Sequence, residues 1–276
     1  MPELPEVETI RRILEPALTG KRITGITMNK QKLRFPFPEN FKKRLTGRTI
    51  HCIQRRAKYL LFYLDTKDIL VAHLGMSGSF RLMSKQDLRV NAHDHVTFMT
   101  NTDTIVHYND PRRFGFMDLV DSRKLNCHPM LRSLGPEPLS EYFNAEILIN
   151  NLAKRKGAIK PALLDQKLIA GIGNIYACEA LFRARLSPRR SAYNIRGKRA
   201  EYLVEAIKNV LIEAIEAGGA TLRNHQDPDG KIGYFQNKFS VYGRDGKSCE
   251  NCNCNHGIRK IIQSGRPTFF CSTHQK

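Results

Sequence analysis

The clearest chemistry in the sequence lies in its last 28 residues, which hold four of the seven cysteines. Cys249-x2-Cys252 is followed, after 18 residues, by Cys271-x2-His274. Two ligand pairs on tight turns suit one tetrahedral zinc ion, and four protein ligands leave no position for water. The pattern therefore predicts one structural Zn2+. The remaining Cys52, Cys127 and Cys178 are expected to be buried as small hydrophobic side chains.

A glycine segment before an apolar run is a second candidate site. Gly171-Ile172-Gly173-Asn174 permits a tight turn, and the N–H groups of the helix that follows would point at an anion. A nucleic-acid phosphate would fit there. The alternative is a turn between two helices that has no ligand.

His93 and His95 lie two residues apart in a strand-like run, and therefore on one face. This spacing would suit a metal site, but the sequence offers no evident third ligand. We expect these histidines to face solvent or phosphate.

The charge of the chain indicates the kind of partner. It has 45 Lys and Arg against 26 Asp and Glu, a net charge of +19. Such an excess does not direct folding, but it attracts polyanions, and nucleic acid is the favoured one. A ribosomal or membrane-surface protein would share this charge. Since no window reaches the roughly 18 apolar residues of a membrane span, and no signal-peptide pattern is present, we expect a cytosolic protein.

The first half of the chain is predicted to carry these residues on strands. A short helix with Val7, Ile10 and Leu14 on one face precedes six strand-like runs: ITGITM, TIHCIQ, KYLLFYL, ILVAHL, HVTFM and TIVHY. Gly135, Pro136 and Pro138 then disfavour both helix and central strand. The pattern predicts a β domain over residues 1–130 and a linker over 131–141.

The second half is predicted to be helical and then metal-bound. The clearest helix runs from about Arg199 to Ala217, where Gly218-Gly219 ends it. Beyond about residue 229 the short runs FSVYG, IRKII and TFF alternate with cysteines. The fold class is therefore α+β, with a helical domain over 142–228 and a metal-held module over 229–276.

Six motifs in order resemble those of formamidopyrimidine-DNA glycosylase: PELPEVET, QRRAKYL, HLGMSGS, DPRRFG, GIGNIYA and a terminal Cys-x2-Cys with GRPTFFC. The resemblance spans essentially the whole chain. It implies a β-sandwich with an N-terminal helix, a helix–two-turn–helix (H2TH) domain and a zinc-finger β-hairpin. It also implies a monomeric, nucleoid-associated repair enzyme that acts on double-stranded DNA containing oxidised purines or abasic sites.

The resemblance assigns the catalytic roles. Pro2 would be the nucleophile, because removal of Met1 exposes a secondary amine that can attack a deoxyribose C1′. Glu3 would manage protons, and Glu6 would support that end of the site. Lys58, in an apolar strand, would send its ammonium toward a cleft as a catalytic and phosphate-binding lysine. Without the resemblance, Pro2 would be interpreted as a rigid N-terminal residue with no catalytic role.

The resemblance also assigns DNA contacts. A damaged base must leave the duplex, and Met76, Arg112 and Phe114 would fill the gap that it leaves. The polar segment 221–235 would cover the extruded base. Arg266, on the zinc hairpin, would be a further catalytic residue that holds the phosphates around the lesion. The remaining DNA-binding residues implied by the resemblance are His93, Lys156, Asn174 and Tyr242.

The sequence departs from the family at its last ligand pair. Relatives usually end in two Cys-x2-Cys pairs, whereas this chain has His274 in the final position. We predict a zinc site of three cysteines and one histidine, with Cys254 or His256 as competing ligands.

Two other functions remain as alternatives. The related endonuclease VIII group shares the proline nucleophile but prefers oxidised pyrimidines. A non-catalytic DNA- or RNA-binding protein with a zinc ribbon would also explain the charge and the cysteines. The Pro2-Glu3 pair argues against the second alternative.

Overall fold

The fold is taken from a computed structural model that describes residues 2–30, 32–87, 89–220 and 233–276. Within it the chain forms two compact units. The first comprises the described residues up to Arg132, together with Gly218, Gly219, Ala220 and Gly233. The second comprises Ser133–Ala217 and Tyr234–Lys276. In the described part of the chain, no helix is both long and apolar enough to span a bilayer.

The first unit is a β-sandwich preceded by a helix. Its helices are α1 (Leu4–Leu18) and α2 (Phe41–Leu45). Its strands are β1 (Ile23–Met28), β2 (Ile50–Arg56), β3 (Tyr59–Leu64), β4 (Asp68–His73), β5 (Ser79–Ser84), β6 (Asp94–Thr100), β7 (Thr104–Asn109) and β8 (Phe116–Asp121). They form two antiparallel sheets, in the orders β1-β6-β7-β5 and β2-β3-β4-β8.

The core of this unit lies between the two sheets and α1. Ile53 and Leu60 of one sheet share it with Val96 and Val106 of the other, and Leu14 of α1 is fully buried against them. The apolar residues of α1 recur every three or four positions, so the helix buries one face. The predicted N-terminal helix and β-sandwich are confirmed.

Two strands were missing from the sequence-based prediction, β5 and β8. Both lie at the edge of their sheet. In β5 only Phe80 is buried, so the strand lacks the apolar alternation that marks a half-buried strand. Edge strands can carry polar side chains on both faces, which hides them from a pattern search.

The second unit packs helices against a β-hairpin. Its elements are α3 (Ala145–Leu152), α4 (Ile159–Leu163), α5 (Asn174–Arg183), α6 (Lys198–Glu216), β9 (Arg259–Gln263) and β10 (Arg266–Phe270). The predicted helix over 199–217 corresponds to α6. The run FSVYG is not a strand: Phe235–Lys238 form a short 3-10 helix, and the residues after it are turns and bends.

The cysteine-bearing tail shares a core with α5. Cys178 and Phe182 of this helix pack with Val241, Phe269 and Cys271. The expectation that the lone cysteines are buried is right for Cys178 but wrong for Cys127, which is exposed, and Cys52 is only half-buried. Cys127 lies in a short 3-10 helix with no buried residue, so nothing packs over it.

Candidate active site

The start of α1 holds two buried carboxylates beside Pro2. Glu3 and Glu6 are each 4% exposed, and Pro2 is also buried. Glu3 is the N-cap residue, and its N–H donates to Glu6 Oε2 at 2.8 Å, one half of a capping box. This hydrogen bond fixes the backbone next to Pro2, so the residues predicted to be catalytic lie on a defined helix start.

Glu6 makes a second backbone contact far along the chain. Its Oε1 accepts the N–H of Ala220 at 2.8 Å. Gly219 has φ +79, and a Cβ there would lie 3.1 Å from Glu6 Oε1. The carboxylate therefore joins the N-terminus to residues 219–220. Most of the predicted covering loop, residues 221–232, lies outside the described residues.

Lys58 lies in a turn, not in a strand as predicted. Ala57 and Lys58 form the two-residue connection of the β2–β3 hairpin, and Ala57 has φ +52. A two-residue hairpin turn interrupts the apolar run without glycine or asparagine, which is why the sequence did not indicate it. Lys58 is 7% exposed.

His73 is held neutral beside this turn. Burial, reinforced by the charges of Lys58 and Arg34, lowers its pKa to about 4. Its Nδ1 accepts the N–H of Gly75 at 3.0 Å. A neutral imidazole therefore fixes the turn that leads to Met76.

Met76, Arg112 and Phe114 form an exposed surface, here called the wedge surface. Met76 is 46% exposed and Phe114 43% exposed, although large apolar side chains are usually buried. The Arg112 guanidinium lies 4.6 Å from the centre of the Phe114 ring. Neither Met76 nor Phe114 belongs to the core of the β-sandwich.

One buried carboxylate braces the wedge surface. Asp110 Oδ1 accepts the Ser77 hydroxyl at 2.6 Å, and its Oδ2 accepts the N–H of Gly115 at 2.8 Å. Ser77 Oγ in turn accepts the N–H of Arg112 at 3.2 Å. Sequence reasoning missed Asp110 and Ser77, although both lie inside the quoted motifs DPRRFG and HLGMSGS.

Close backbone packing completes this brace. A Cβ at Gly75 would lie 2.3 Å from the carbonyl carbon of Phe114, and Gly75 has φ +61. Only glycine fits there. The loops that carry Met76 and Phe114 are therefore in direct contact.

The two histidines of the first unit differ. His93 precedes β6 and is exposed, whereas His95 is 3% exposed and its Nε2 lies 2.9 Å from the Asp110 carbonyl oxygen. The expectation that His95 faces solvent or phosphate is wrong, because a strand that contributes to the core buries this side chain. The expectation for His93 stays a prediction.

In the second unit, Asn174 is part of a buried polar cluster. It begins α5 and is 8% exposed. Its Nδ2 donates to the carbonyl oxygen of Pro267 at 2.9 Å, and its Oδ1 accepts from Lys160 Nζ at 2.5 Å. Lys160, fully buried, also approaches the Pro267 oxygen at 3.4 Å. The cluster fixes the residue after Arg266 against the turn Gly171–Asn174.

Arg266 itself is exposed at the tip of the β9–β10 hairpin. Gln263 pairs with Arg266 across a two-residue turn of Ser264 and Gly265, both with positive φ. Such a turn matches the twist of a hairpin. The guanidinium is thus carried at the end of a short, defined ribbon.

The two other predicted DNA contacts of this unit lie in different surroundings. Lys156 is exposed in the loop between α3 and α4, beside a surface depression of about 530 Å³ that Lys154 and Arg155 also line. Tyr242 is half-buried and packs its ring against Phe269, with centroids 5.1 Å apart. Its N–H donates to Glu179 Oε1 at 2.8 Å.

Glu179 is a buried anchor for the chain around Tyr242. Its carboxylate accepts three consecutive backbone N–H groups, those of residues 240–242, at 2.8–3.0 Å. Burial nevertheless raises the pKa of this carboxyl, against the lowering effect of those hydrogen bonds. Sequence reasoning did not single out Glu179, since an acidic residue within a helix gives no such signal.

The tail brings three of the predicted metal ligands together. The sulfur atoms of Cys249, Cys252 and Cys271 lie within 4.8 Å of one another. Burial opposes ionisation of Cys271, but N–H groups of His274 and Thr273 and the neighbouring thiols lower its pKa to about 7. A thiol that ionises near neutral pH is suited to bind a metal.

The features described so far together define a DNA glycosylase. They are a β-sandwich with buried carboxylates at its first helix, an exposed wedge surface, a helical unit and a cysteine-bearing hairpin. Residues 1–117 match the formamidopyrimidine-DNA glycosylase N-terminal domain, and residues 134–226 match the formamidopyrimidine-DNA glycosylase H2TH domain. The chain belongs to the formamidopyrimidine-DNA glycosylase family. The predicted family and enzyme class are confirmed.

Curated relatives match over their full length. Formamidopyrimidine-DNA glycosylase of Beijerinckia indica is 50% identical, and that of Bartonella henselae is 49% identical, with 100% of both chains covered in each case. Among solved structures, Lactococcus lactis Fpg (MutM) in complex with N7-benzyl-Fapy-dG DNA has a TM-score of 0.90 at 36% identity, covering 100% of both chains. MutM (Fpg) of Thermus thermophilus has a TM-score of 0.88 at 40% identity, covering 99% of this chain and 98% of that one.

Proposed function

We propose that this DNA repair glycosylase removes oxidised purines and then cleaves the strand through a covalent intermediate on Pro2. The observation that carries the proposal is the capped start of α1, where Pro2, Glu3 and Glu6 are buried together and Glu6 fixes the Glu3 backbone. An amine nucleophile beside a carboxylate is the arrangement that this chemistry requires. The Lactococcus protein is solved with Fapy-dG DNA, with abasic-site DNA and with DNA containing an oxidised pyrimidine, which supports action on damaged DNA but not the preference for purines.

The proposed reaction begins once Met1 is removed and the Pro2 nitrogen becomes a secondary amine. Its lone pair attacks C1′ of the damaged nucleotide, the C1′–N bond to the base breaks, and the base leaves with a proton. Glu3 supplies or accepts protons as the sugar ring opens and the C1′ iminium forms. Pro2 nitrogen thereby stays bound to the sugar as a cation.

Strand cleavage follows from the same cation. The iminium withdraws electrons and acidifies C2′, so loss of a C2′ proton expels the 3′ phosphate by β-elimination. A second, δ-elimination expels the 5′ phosphate. Water then hydrolyses the remaining iminium and frees Pro2. Lys58, a buried lysine in the β2–β3 turn, is proposed as the catalytic and phosphate-binding cation.

The wedge surface is proposed to fill the gap that the extruded base leaves. Met76 and Phe114 replace the lost stacking, and Arg112 hydrogen-bonds the orphaned base. Their exposure and the brace at Asp110 support this role, because a filling side chain must be both accessible and fixed. The segment 221–235 is proposed to cover the extruded base.

Phosphate and DNA contacts are proposed for His93, Lys156, Asn174, Tyr242 and Arg266. His93, Lys156 and Arg266 are exposed. Lys156 and Arg266 are also positively charged, which suits contacts with the phosphates of the DNA backbone. Because the Asn174 side chain is engaged with Lys160 and Pro267, its contribution would come from shaping the turn Gly171–Asn174.

A structural zinc ion is proposed for the tail. Zinc–sulfur bonds of about 2.3 Å in a tetrahedron place sulfur atoms about 3.8 Å apart, and the three clustered sulfur atoms lie within 4.8 Å of one another, which supports such a site. Cys249, Cys252 and Cys271 would hold the ion, which would close the β9–β10 hairpin that carries Arg266. We also propose that the protein is monomeric and associates with the nucleoid. Its proposed domain limits are 1–130, 131–141, 142–228 and 229–276.

Borohydride trapping tests the nucleophile. We expect the wild-type protein, with Met1 shown by intact mass to be removed, to cross-link to duplexes containing 8-oxoguanine or an abasic site. Pro2→Gly should lose most base removal, whereas the matched Pro5→Gly, on the next proline, should keep most of it. Undiminished base excision by Pro2→Gly would contradict the assignment.

Measuring base excision also distinguishes the two substrate classes, oxidised purines and oxidised pyrimidines. Duplexes with an oxidised purine and an oxidised pyrimidine should be compared at equal concentration. Faster excision of the purine is expected, and a preference for the pyrimidine would favour the endonuclease VIII alternative.

A further inference from the structure

The tail of this chain offers more metal ligands than one zinc ion needs. Cys249, Cys252 and Cys271 form the cluster described above, and a tetrahedral structural site requires one ligand more. Of the three candidates for the fourth position, His256 is exposed, whereas Cys254 and His274 both contact Cys271. Their surroundings in the second unit differ sharply.

Cys254 lies against the cluster through its side chain. Its Sγ is 3.5 Å from Cys271 Sγ, the same distance that separates Cys252 Sγ from Cys271 Sγ. Both distances are close to the roughly 3.8 Å edge expected of a tetrahedral zinc–thiolate site. The Cys254 sulfur does not lie within 4.8 Å of all three cluster sulfurs, so metal binding would draw it further into the cluster. Cys252 and Cys254 also pack together against the core that contains Cys249 and Cys271.

His274 meets the cluster through its backbone instead. Its N–H donates to Cys271 Sγ at 3.4 Å. Its ring lies on Phe182, with centroids 4.6 Å apart. The imidazole is thus used in packing the tail against α5.

We infer that Cys254 is the fourth zinc ligand and that the His274 imidazole packs on Phe182 and is not a ligand. The inference rests on the proposed zinc site. It replaces the sequence-based prediction of three cysteines and one histidine with a four-cysteine site, whose fourth thiolate comes from the loop after Cys252. In this chain Cys254, two residues after Cys252, then replaces the last cysteine of the usual family pattern, where this chain has His274.

A four-cysteine site changes the local charge and the donor set. Four thiolates give the zinc site a net charge of −2, whereas three thiolates and a neutral imidazole give −1. The two sites also differ in their spectra, because cobalt bound to four thiolates absorbs differently from cobalt bound to three thiolates and an imidazole. The donor set is therefore measurable without reference to activity.

The decisive experiment is X-ray absorption of the zinc-loaded, full-length wild-type protein, with the cobalt-substituted protein measured in parallel. We expect four sulfur neighbours at about 2.3 Å and no imidazole scattering. Three sulfurs and one nitrogen would overturn the inference while leaving the zinc proposal intact. A protein that binds no zinc would contradict the zinc proposal itself.

Matched variants test each residue. His274→Ala should keep one zinc per chain and an unchanged cobalt spectrum, as should the control Cys127→Ala at an exposed lone cysteine. Cys254→Ala should lose zinc affinity on the order of 100-fold and change the cobalt spectrum. The reverse result, with the spectrum altered in His274→Ala and unchanged in Cys254→Ala, would overturn the inference.

The identity of the fourth zinc ligand can still be tested if one variant does not fold. The wild-type absorption measurement needs no substitution, and Cys254→His offers a second donor swap that should convert four sulfurs to three sulfurs and one nitrogen. Borohydride trapping of the wild-type protein on abasic-site DNA reports the Pro2 chemistry separately from the metal.

Discussion

The wedge surface and the Arg266 hairpin both present exposed side chains, but on supports of different size. The wedge surface rises from two four-stranded sheets with a large shared core, and one carboxylate, Asp110, ties its two loops together. The hairpin has five residues in each strand, and only β10 buries side chains, those of Thr268, Phe269 and Phe270. It is fixed by the small core that Phe269 shares with α5, by the cysteine cluster and by the contact of Lys160 and Asn174 with Pro267.

This difference shows how the amount of core decides the kind of brace. A sandwich already excludes water, so a hydrogen-bonded carboxylate is enough to position a loop on it. A two-stranded ribbon is at best marginally stable alone and needs a metal or a neighbouring element. Removing the brace should therefore affect the two regions differently. Loss of the carboxylate should lower the stability of the sandwich, and loss of the metal should release the hairpin.

The largest effect is expected from removing Cys271, a proposed zinc ligand. Cys271→Ser should release the hairpin, because the thiol lies at the centre of the cluster and is fully buried. DNA affinity should fall on the order of 1000-fold, since structural zinc contributes folding free energy directly. Fluorescence anisotropy with abasic-site duplex measures this. Cys127→Ser is the control, and unchanged affinity in Cys271→Ser would show that the hairpin does not depend on the site.

Asp110→Ala should be the most damaging change to the wedge surface. It leaves the N–H of Gly115 and the hydroxyl of Ser77 without their buried acceptor, which should lower the free energy of unfolding by about 3 kcal/mol. Urea denaturation measures the loss. Asp110→Asn keeps the shape and one acceptor and should lose about 1 kcal/mol. Equal, small losses in both variants would refute the brace.

His73 should make the support of the wedge surface sensitive to acid. Its folded-state pKa of about 4 lies below the ordinary 6.5, so the unfolded chain binds the proton first as pH falls. This contribution to stability is complete above about pH 6.5 and is lost progressively toward about pH 4. Between about pH 7 and about pH 5 the loss should be about 2 kcal/mol.

The matched variant for this prediction is His73→Gln, which keeps an acceptor for the Gly75 N–H but does not titrate. Chemical denaturation of both proteins at each pH isolates the histidine. Parallel stability curves for wild type and His73→Gln would exclude the assigned role of His73.

The smallest effect is expected at Met76. Because its side chain is 46% exposed, Met76→Ala should change stability by less than about 0.5 kcal/mol. Excision from a lesion duplex should slow about tenfold, since filling the gap offsets part of the unstacking free energy. Cleavage at a preformed abasic site should change much less. Equal slowing on both substrates would argue against the filling role.

Much of this molecule follows from its sequence alone. The helical spacing of Val7, Ile10 and Leu14, the apolar β-forming residues of six short runs and the glycines after α6 predict elements that the structure contains, because these patterns indicate which segments are buried and where they end. The motifs at Pro2, Met76 and Arg112 to Phe114 predict the family. The cysteine spacing predicts three thiols that do cluster, since two residues on a tight turn can converge by local geometry.

What the sequence did not determine depends on contacts between distant segments. The buried state of His95, the brace at Asp110 and the linkage of Glu6 to Ala220 all follow from packing between strands or loops far apart in the chain. The turn at Lys58 is local, but it contains no glycine or asparagine that would mark it in the sequence. Spacing could not decide between Cys254 and His274, because both lie within reach of the cluster in sequence. Only the tertiary structure directs one side chain to Cys271 and the other to Phe182, since a side chain's direction depends on what packs against it.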